Sequence, residues 1–217
     1  MVFILVQSEV IKLRKKGEIN HQVELKILLM KSIVYTTFLF VLFVSCNTQI
    51  SREIPQEQAE IPADYDPEAR LTELGIKLPE AATPVANYVN AVQAGNLIFL
   101  AGKGPRKPEG GNVSGKLGAD LTIDEGYEAA RLAGIAQLAV LKAELGNLNR
   151  VKRVVKVKGM VNAVPEFTDH PKVVNGYSDL MVAVFGERGK HARAAVGMGS
   201  LPSNIAVEME MVVEVFD

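Results

Sequence analysis

The sequence predicts an α+β sandwich in which one mixed β-sheet carries two helices on one face, in the order ββ(β)αβαββ. Three observations point there. Strand-like apolar runs begin at Tyr88 and recur to the end of the chain. Two segments of helical period, each with its own start and stop signals, interrupt those runs. The 217 residues are 48% hydrophobic and 23% charged, which suits one ordinary core with something appended.

Taken in order, Tyr88 to Leu100 reads as two strands around an Ala94-Gly95-Asn96 turn, the second strand apolar enough to be central. Gly102, Gly104, Pro105, Pro108, Gly110 and Gly111 break the pattern, so residues 102–118 are expected as loop with a minor strand near Lys116. Thr122-Ile123-Asp124-Glu125 is a capping box. The helix it opens carries an apolar stripe at Ile123, Tyr127, Ala130, Gly134, Leu138, Leu141 and Leu145 and stops at Gly146. The next strand is Val151 to Asn162, with Val155, Val157, Gly159 and Val161 on one face and Lys156, Lys158 and Met160 on the other. A second helix from about Pro171 to Phe185 buries Val173, Tyr177, Leu180 and Val184. Strands Ala192 to Met198 and Ile205 to Val215 close the chain, joined by a Leu201-Pro202-Ser203-Asn204 turn.

The N-terminal part reads as an address. Residues 32–44 are an uncharged, mostly apolar run, too short to span a bilayer comfortably, preceded by Lys31 and followed by Ser45-Cys46. Phe43-Val44-Ser45-Cys46 resembles a bacterial lipobox, which makes Cys46 the expected lipid attachment site; a plain amino-terminal anchor is the alternative. The expected organisation is an upstream extension over 1–29 with the true start at Met30, a lipoprotein-type signal peptide over 30–45, an acidic tether over 46–80 and one domain over 81–217. The expected location is periplasmic or outer-membrane-associated, through the lipid on Cys46.

Charge excludes several classes. Residues 81–217 carry 15 basic and 14 acidic side chains, and no aromatic lies among Arg150, Lys152, Arg153, Lys156 and Lys158 to stack bases, which argues against nucleic acid. One Cys and three His, at 21, 170 and 191, offer no metal-ligand spacing. Gly102-Lys103-Gly104-Pro105 lacks the ending of a phosphate loop.

The residues able to carry chemistry lie on the last two strands. Arg193 sits in the small, apolar stretch Ala192 to Gly199, and Glu208 in Ala206 to Met211. Alternation puts Glu208, Glu210 and Glu214 on one face and Val207, Met209, Met211 and Val213 on the other. An Arg–Glu ion pair across neighbouring strands, or a solvated Glu row, is the plain structural alternative to a site.

Ala192-Arg193-Ala194-Ala195-Val196, Leu201-Pro202 and Val207-Glu208-Met209 closely resemble the carboxy-terminal signature of the RidA (YjgF-like) imine deaminase family. Asn87-Tyr88-Val89, Gly95 to Gly102 and Asn175 fall where that family has its other common residues, and the likeness covers about 83–217. The resemblance implies a chorismate-mutase-like fold, a homotrimer with clefts between subunits, and hydrolysis of reactive 2-enamine and 2-imine carboxylic acids to 2-keto acids and ammonia, as in the 2-iminobutanoate/2-iminopropanoate deaminases. On that basis Arg193 clamps the substrate carboxylate, Glu208 positions or deprotonates the attacking water, Tyr88 forms a cleft wall and Asn175 supports. No metal or cofactor is required. Three positions depart from the pattern: Ala101 replaces a common Ser, Ala195 a common Cys, and His191 a common Pro or Ala, where it shares a face with Arg193 and enters the candidate site. Two other classes remain: a trimeric lipoprotein that binds small carboxylates or a partner without turnover, and RNA binding or cleavage, which the charge balance disfavours.

Overall fold

The computed structural model describes residues 65–216. The start at Met30, the signal over 30–45 and the lipid site Cys46 lie outside the described residues. Helix α1 (Pro67–Glu73) falls inside the stretch expected as tether, so the folded domain begins earlier than residue 81. Asp66 caps it, its Oδ1 accepting from the N–H groups of Glu68 and Ala69 at 3.1 Å each. Leu71 enters the core, and the Glu68 carboxylate accepts from Lys142 and from the Leu148 N–H. Just ahead of it the Tyr65 hydroxyl donates to the Val151 carbonyl at 2.7 Å, and the Arg188 guanidinium lies over the Tyr65 and Phe216 rings. The acidic, proline-containing composition of 46–80 concealed these few anchoring side chains.

Strands β1 (Ala91–Ala94), β2 (Leu97–Lys103), β3 (Val151–Asn162), β4 (Ala192–Met198) and β5 (Val207–Val215) form one sheet in the order β1-β2-β5-β3-β4. All pairs are antiparallel except β3–β4, whose parallel pairing needs a crossover, supplied by α3 (His170–Phe185). Together with α2 (Ile123–Leu145), α3 covers one face, as the hydrophobic pattern predicts. The minor strand expected near Lys116 reduces to isolated bridges of Leu117 with Leu121 and Ala163.

The capping box forms: Thr122 Oγ1 accepts from the Glu125 N–H, and the Glu125 carboxylate accepts from the Thr122 N–H. The helix buries a stripe of small residues, Gly126, Ala129, Ala130, Ala133 and Gly134, while Ile123 and Tyr127 are only half-buried. This smooth face lets α3 approach closely; a methyl on Gly134 would lie 2.8 Å from Leu180 Cδ2. On β3, irregularities between Val151 and Arg153 and between Val154 and Lys156 shift the alternation, so Val154 rather than the expected Val155 is buried with Val157, Gly159 and Val161. A pattern of period two cannot reveal an inserted residue.

On β5, Val207, Met209, Met211 and Val213 enter the core. Glu214, on the opposite face, is the buried end of the Glu row. Its carboxylate accepts from Lys152 Nζ and Arg153 Nε at 2.9 Å each and from Asn96 Nδ2 at 3.0 Å. The Lys152 hydrogen bond first, then Arg153, holds Glu214 below the usual carboxylate range despite burial. Its lowered folded pKa means that the stabilisation is complete above the unfolded value and is lost as pH falls through the folded one. Both cations reach solvent, so Glu214→Gln should cost about 1–2 kcal/mol at neutral pH, with the gap to wild type closing in acid. Urea unfolding at the two pH values checks this; an unchanged gap would refute the charge-based account.

Candidate functional site

Arg193 is opposite Val157 in the β3–β4 register, and Val157 is in the core, so Arg193 projects to the helix-covered side of the outermost strand. There its Nη1 donates to Asn175 Oδ1 at 2.8 Å and to Ser178 Oγ at 3.0 Å, both on α3. Asn175 and Ser178 are one turn apart and so share a helix face. Among the described residues Nε and Nη2 of Arg193 make no hydrogen bond. These two N–H groups lie along one edge of the guanidinium plane, the fork that takes a carboxylate through two parallel bonds.

His191, just ahead of β4, joins the same group. Its Nδ1 is 2.7 Å from the Gly189 carbonyl oxygen and its Nε2 is 3.1 Å from Ser178 Oγ. A carbonyl can only accept, so Nδ1 carries the proton and Nε2 accepts from the Ser178 hydroxyl. Burial holds the imidazole below its ordinary pKa; the Gly189 bond opposes that shift and the Arg193 charge adds to it. Asn175, Arg193 and His191 thus form one hydrogen-bonded group around Ser178. Ser178, the centre of the cluster, was missed; its only signal was the three-residue spacing from Asn175.

Glu208 lies elsewhere. It is opposite Met160 on β3 and alternates with the buried Met209, which places it on the face not covered by α2 and α3. Strand β3 runs between β5 and β4, so Glu208 and Arg193 are neither on neighbouring strands nor on one face. The cross-strand ion pair considered as an alternative does not form.

The carboxylate of Glu208 instead rests over Gly102, at an irregularity between Leu100 and Lys103 of β2 where a methyl would collide with it. Burial and the neighbouring Glu210 charge raise the pKa of Glu208, while Lys158 and Lys103 oppose that shift. Lys103 Nζ donates to Asn90 Oδ1 at 2.6 Å, and burial lowers its pKa against the pull of Glu208. From the helix side, Gln137 Nε2 donates to the carbonyls of Ala101 at 3.0 Å and Met209 at 2.7 Å, satisfying two acceptors that the irregular pairing would leave open. A lone Gln in the apolar stripe of α2 was the available sign of this support.

Tyr88 precedes β1 instead of lying on it and is 48% exposed, near the exposed Val89 and Val92 in sequence. Val92 pairs with Phe99, and Phe99 with Val212, so an apolar patch continues onto the open face of the sheet. Among the described residues there is no group of three His, Cys, Asp or Glu able to hold a metal ion. No described helix is long and apolar enough to cross a membrane.

Comparison with known proteins agrees with this architecture. The family model described as "YjgF/chorismate_mutase-like, putative endoribonuclease" matches residues 68–215. Protein TCP17 of Trypanosoma cruzi is 48% identical over 147 residues, covering 67% of this chain and 92% of that protein. A 2-iminobutanoate/2-iminopropanoate deaminase of Dermatophagoides farinae is 29% identical over 143 residues, covering 64% and 93%. The crystal structure of Atu1372 from Agrobacterium tumefaciens, a protein of unknown function, superposes with a TM-score of 0.64 at 42% identity, covering 70% and 92%. The matched span contains the whole sheet, α2 and α3 and nearly all of α1, and the chain therefore belongs to the YjgF/RidA family and has its chorismate-mutase-like α+β fold.

Proposed function

We propose that the protein hydrolyses 2-imino and 2-enamino carboxylic acids to 2-keto acids and ammonia, in clefts between copies of the chain. The observation that carries this is the state of Arg193: Nη1 is anchored on Asn175 and Ser178, while the Nε–Nη2 edge is left free for a carboxylate. Two charge-assisted bonds there fix the orientation of the acid, which a lysine could not do.

Within one copy Glu208 cannot reach that carboxylate, because it is on the other face of the sheet. A neighbouring copy can supply it. The exposed Val92 on β1 and Phe99 on β2, together with Val196 on β4, give such a contact apolar area to bury. A homotrimer of the kind the family resemblance implies would bring Glu208 of one copy to Arg193 of the next.

In the reaction, Glu208 takes a proton from water as the water oxygen bonds to C2, and the C=N electron pair moves onto nitrogen, which gains a proton. The carbinolamine then collapses: its hydroxyl proton passes through Glu208 to the amino nitrogen, the C–N bond breaks with its electron pair going to nitrogen, ammonia leaves, and the hydroxyl oxygen becomes the ketone. A carboxyl whose pKa is raised by burial is suited to accept and return that proton, help worth about 10²–10⁴ in rate. No step calls on a metal. The deaminase from Dermatophagoides farinae supports the substrate class. Nucleic acid is the weaker reading, since Lys152 and Arg153 are engaged by Glu214, and Lys158 lies 3.6 Å from Glu210.

The test times keto-acid and ammonia release from imines formed in situ by an amino-acid oxidase, with Arg193→Ala and no-protein controls. Acceleration present in the wild type and absent in the variant is expected. If no imine from small, aliphatic or aromatic amino acids is consumed faster than in the control, the enzyme reading fails. A non-catalytic carboxylate binder then stands, provided that 2-keto acids still bind and Glu208→Gln leaves their affinity unchanged.

A further inference from the structure

Arg193 is held by more than Asn175. Its second anchor, the Ser178 hydroxyl, has one hydrogen to give, and the acceptor for it is Nε2 of His191. That nitrogen is free to accept because Nδ1–H is committed to the Gly189 carbonyl, and Gly189 is itself fixed: a methyl there would strike the backbone of Met181 on α3. The bonds run one way, from guanidinium N–H to serine oxygen, serine hydrogen to imidazole, and imidazole hydrogen to backbone. We propose that Ser178 and His191 are positioning residues that orient the carboxylate fork of Arg193, and that the fork is set only while His191 is neutral. This rests on the reading of Arg193 as a carboxylate clamp and extends it to the groups that control it.

The charges around the ring leave Arg193 as its main electrostatic neighbour. On the preceding turn, Glu187 and Lys190 pair with each other at 2.8 Å. On α3, Asp179 accepts from the Tyr127 hydroxyl at 3.0 Å. On β3, the exposed Lys156 pairs in register with Ala192. Protonation would turn Nε2 from acceptor to donor, leave the serine hydrogen without a partner and set an imidazolium beside the guanidinium. The imidazolium would then compete for the Ser178 oxygen and repel the guanidinium, weakening one of the two anchors of Arg193. Burial and the Arg193 charge put this event below the ordinary histidine range.

Two measurements on the full protein test the idea. The first needs no ligand: nitrogen-resolved NMR of the imidazole in wild type and in Arg193→Ala. A neutral ring protonated on Nδ1, titrating below the usual range and rising when the guanidinium is removed, is expected. The other tautomer, or a titration indifferent to Arg193, overturns the relay.

The second is calorimetric binding of 2-ketobutyrate between pH 5 and 8. These titrations are run in a Glu208→Gln background, so that protonation of that carboxylate beside the ligand does not contribute to the pH dependence. Affinity should fall about tenfold toward acid, the loss of one bond to a charged group. His191→Gln should abolish the pH dependence, and Ser178→Ala should weaken binding at every pH. Affinity that rises in acid, or a Ser178→Ala variant that binds like its parent, overturns the proposal. If the NMR result holds and 2-ketobutyrate binds at no pH, the substrate reading and its clamp fall, and with them the proposed control of binding.

Discussion

Chains carrying Arg193→Ala, co-assembled in equal amounts with chains carrying Glu208→Gln, should regain imine hydrolysis that neither variant has alone. Each single variant is expected to lose roughly 10²–10⁴ in kcat/KM, the first through the two guanidinium–carboxylate bonds and the second through the lost proton acceptor. Arg193 and Glu208 are on opposite faces of the sheet with β3 between them, so a cleft that uses both must draw them from different copies. Random assortment in a closed ring pairs an intact arginine with an intact glutamate in about a quarter of the clefts. Activity near that fraction of wild type supports the composite site. A mixture as inactive as its parents would show that both groups are needed from one copy, which the observed topology does not permit, and the mechanism would have to give up Glu208.

The largest effect on stability is expected at Gly176. Its missing side chain is what allows α3 to lie against α2, since a Cβ at that position would meet the backbone carbonyl of Tyr127. A flexible side chain could turn aside, but a helix carbonyl cannot without dragging its helix. Gly176→Val should therefore cost at least about 3 kcal/mol, above the ordinary range for overpacking and a large part of the stability of a domain this size. Gly199→Ala is the matched control: nothing lies within 4 Å of a methyl there, and a change within about 0.5 kcal/mol is expected. Urea unfolding of the two variants decides it. A Gly176→Val protein as stable as wild type would mean that the helix pair is not locked at this crossing.

Much of this was legible in the residues. Local signals are carried by neighbours in the chain, so the capping box at Thr122, the stop at Gly146, the buried stripe of α3 and the alternation on β5 could each be read from a few consecutive side chains. The signature around Arg193 and Glu208 pointed to the family for the same reason, being two short runs of sequence. What escaped depends on contacts between distant segments. The irregularity that buries Val154 instead of Val155 is a property of the pairing of β3 with β5, and α1 is a helix of the domain because Leu71 and Glu68 find partners far along the chain.

The site shows the same division most sharply. The sequence by itself determined which side chains are available: a guanidinium, a carboxylate, an imidazole and an amide on a fold of known order. Only the tertiary structure decided that Asn175, Ser178, Arg193 and His191 form one hydrogen-bonded group while Glu208 turns to the other face over Gly102. The physical reason is the sheet. Period-two alternation fixes the face of a residue relative to its own strand, but the order β5-β3-β4 and the register between strands set which faces coincide, and those arise from non-local pairing.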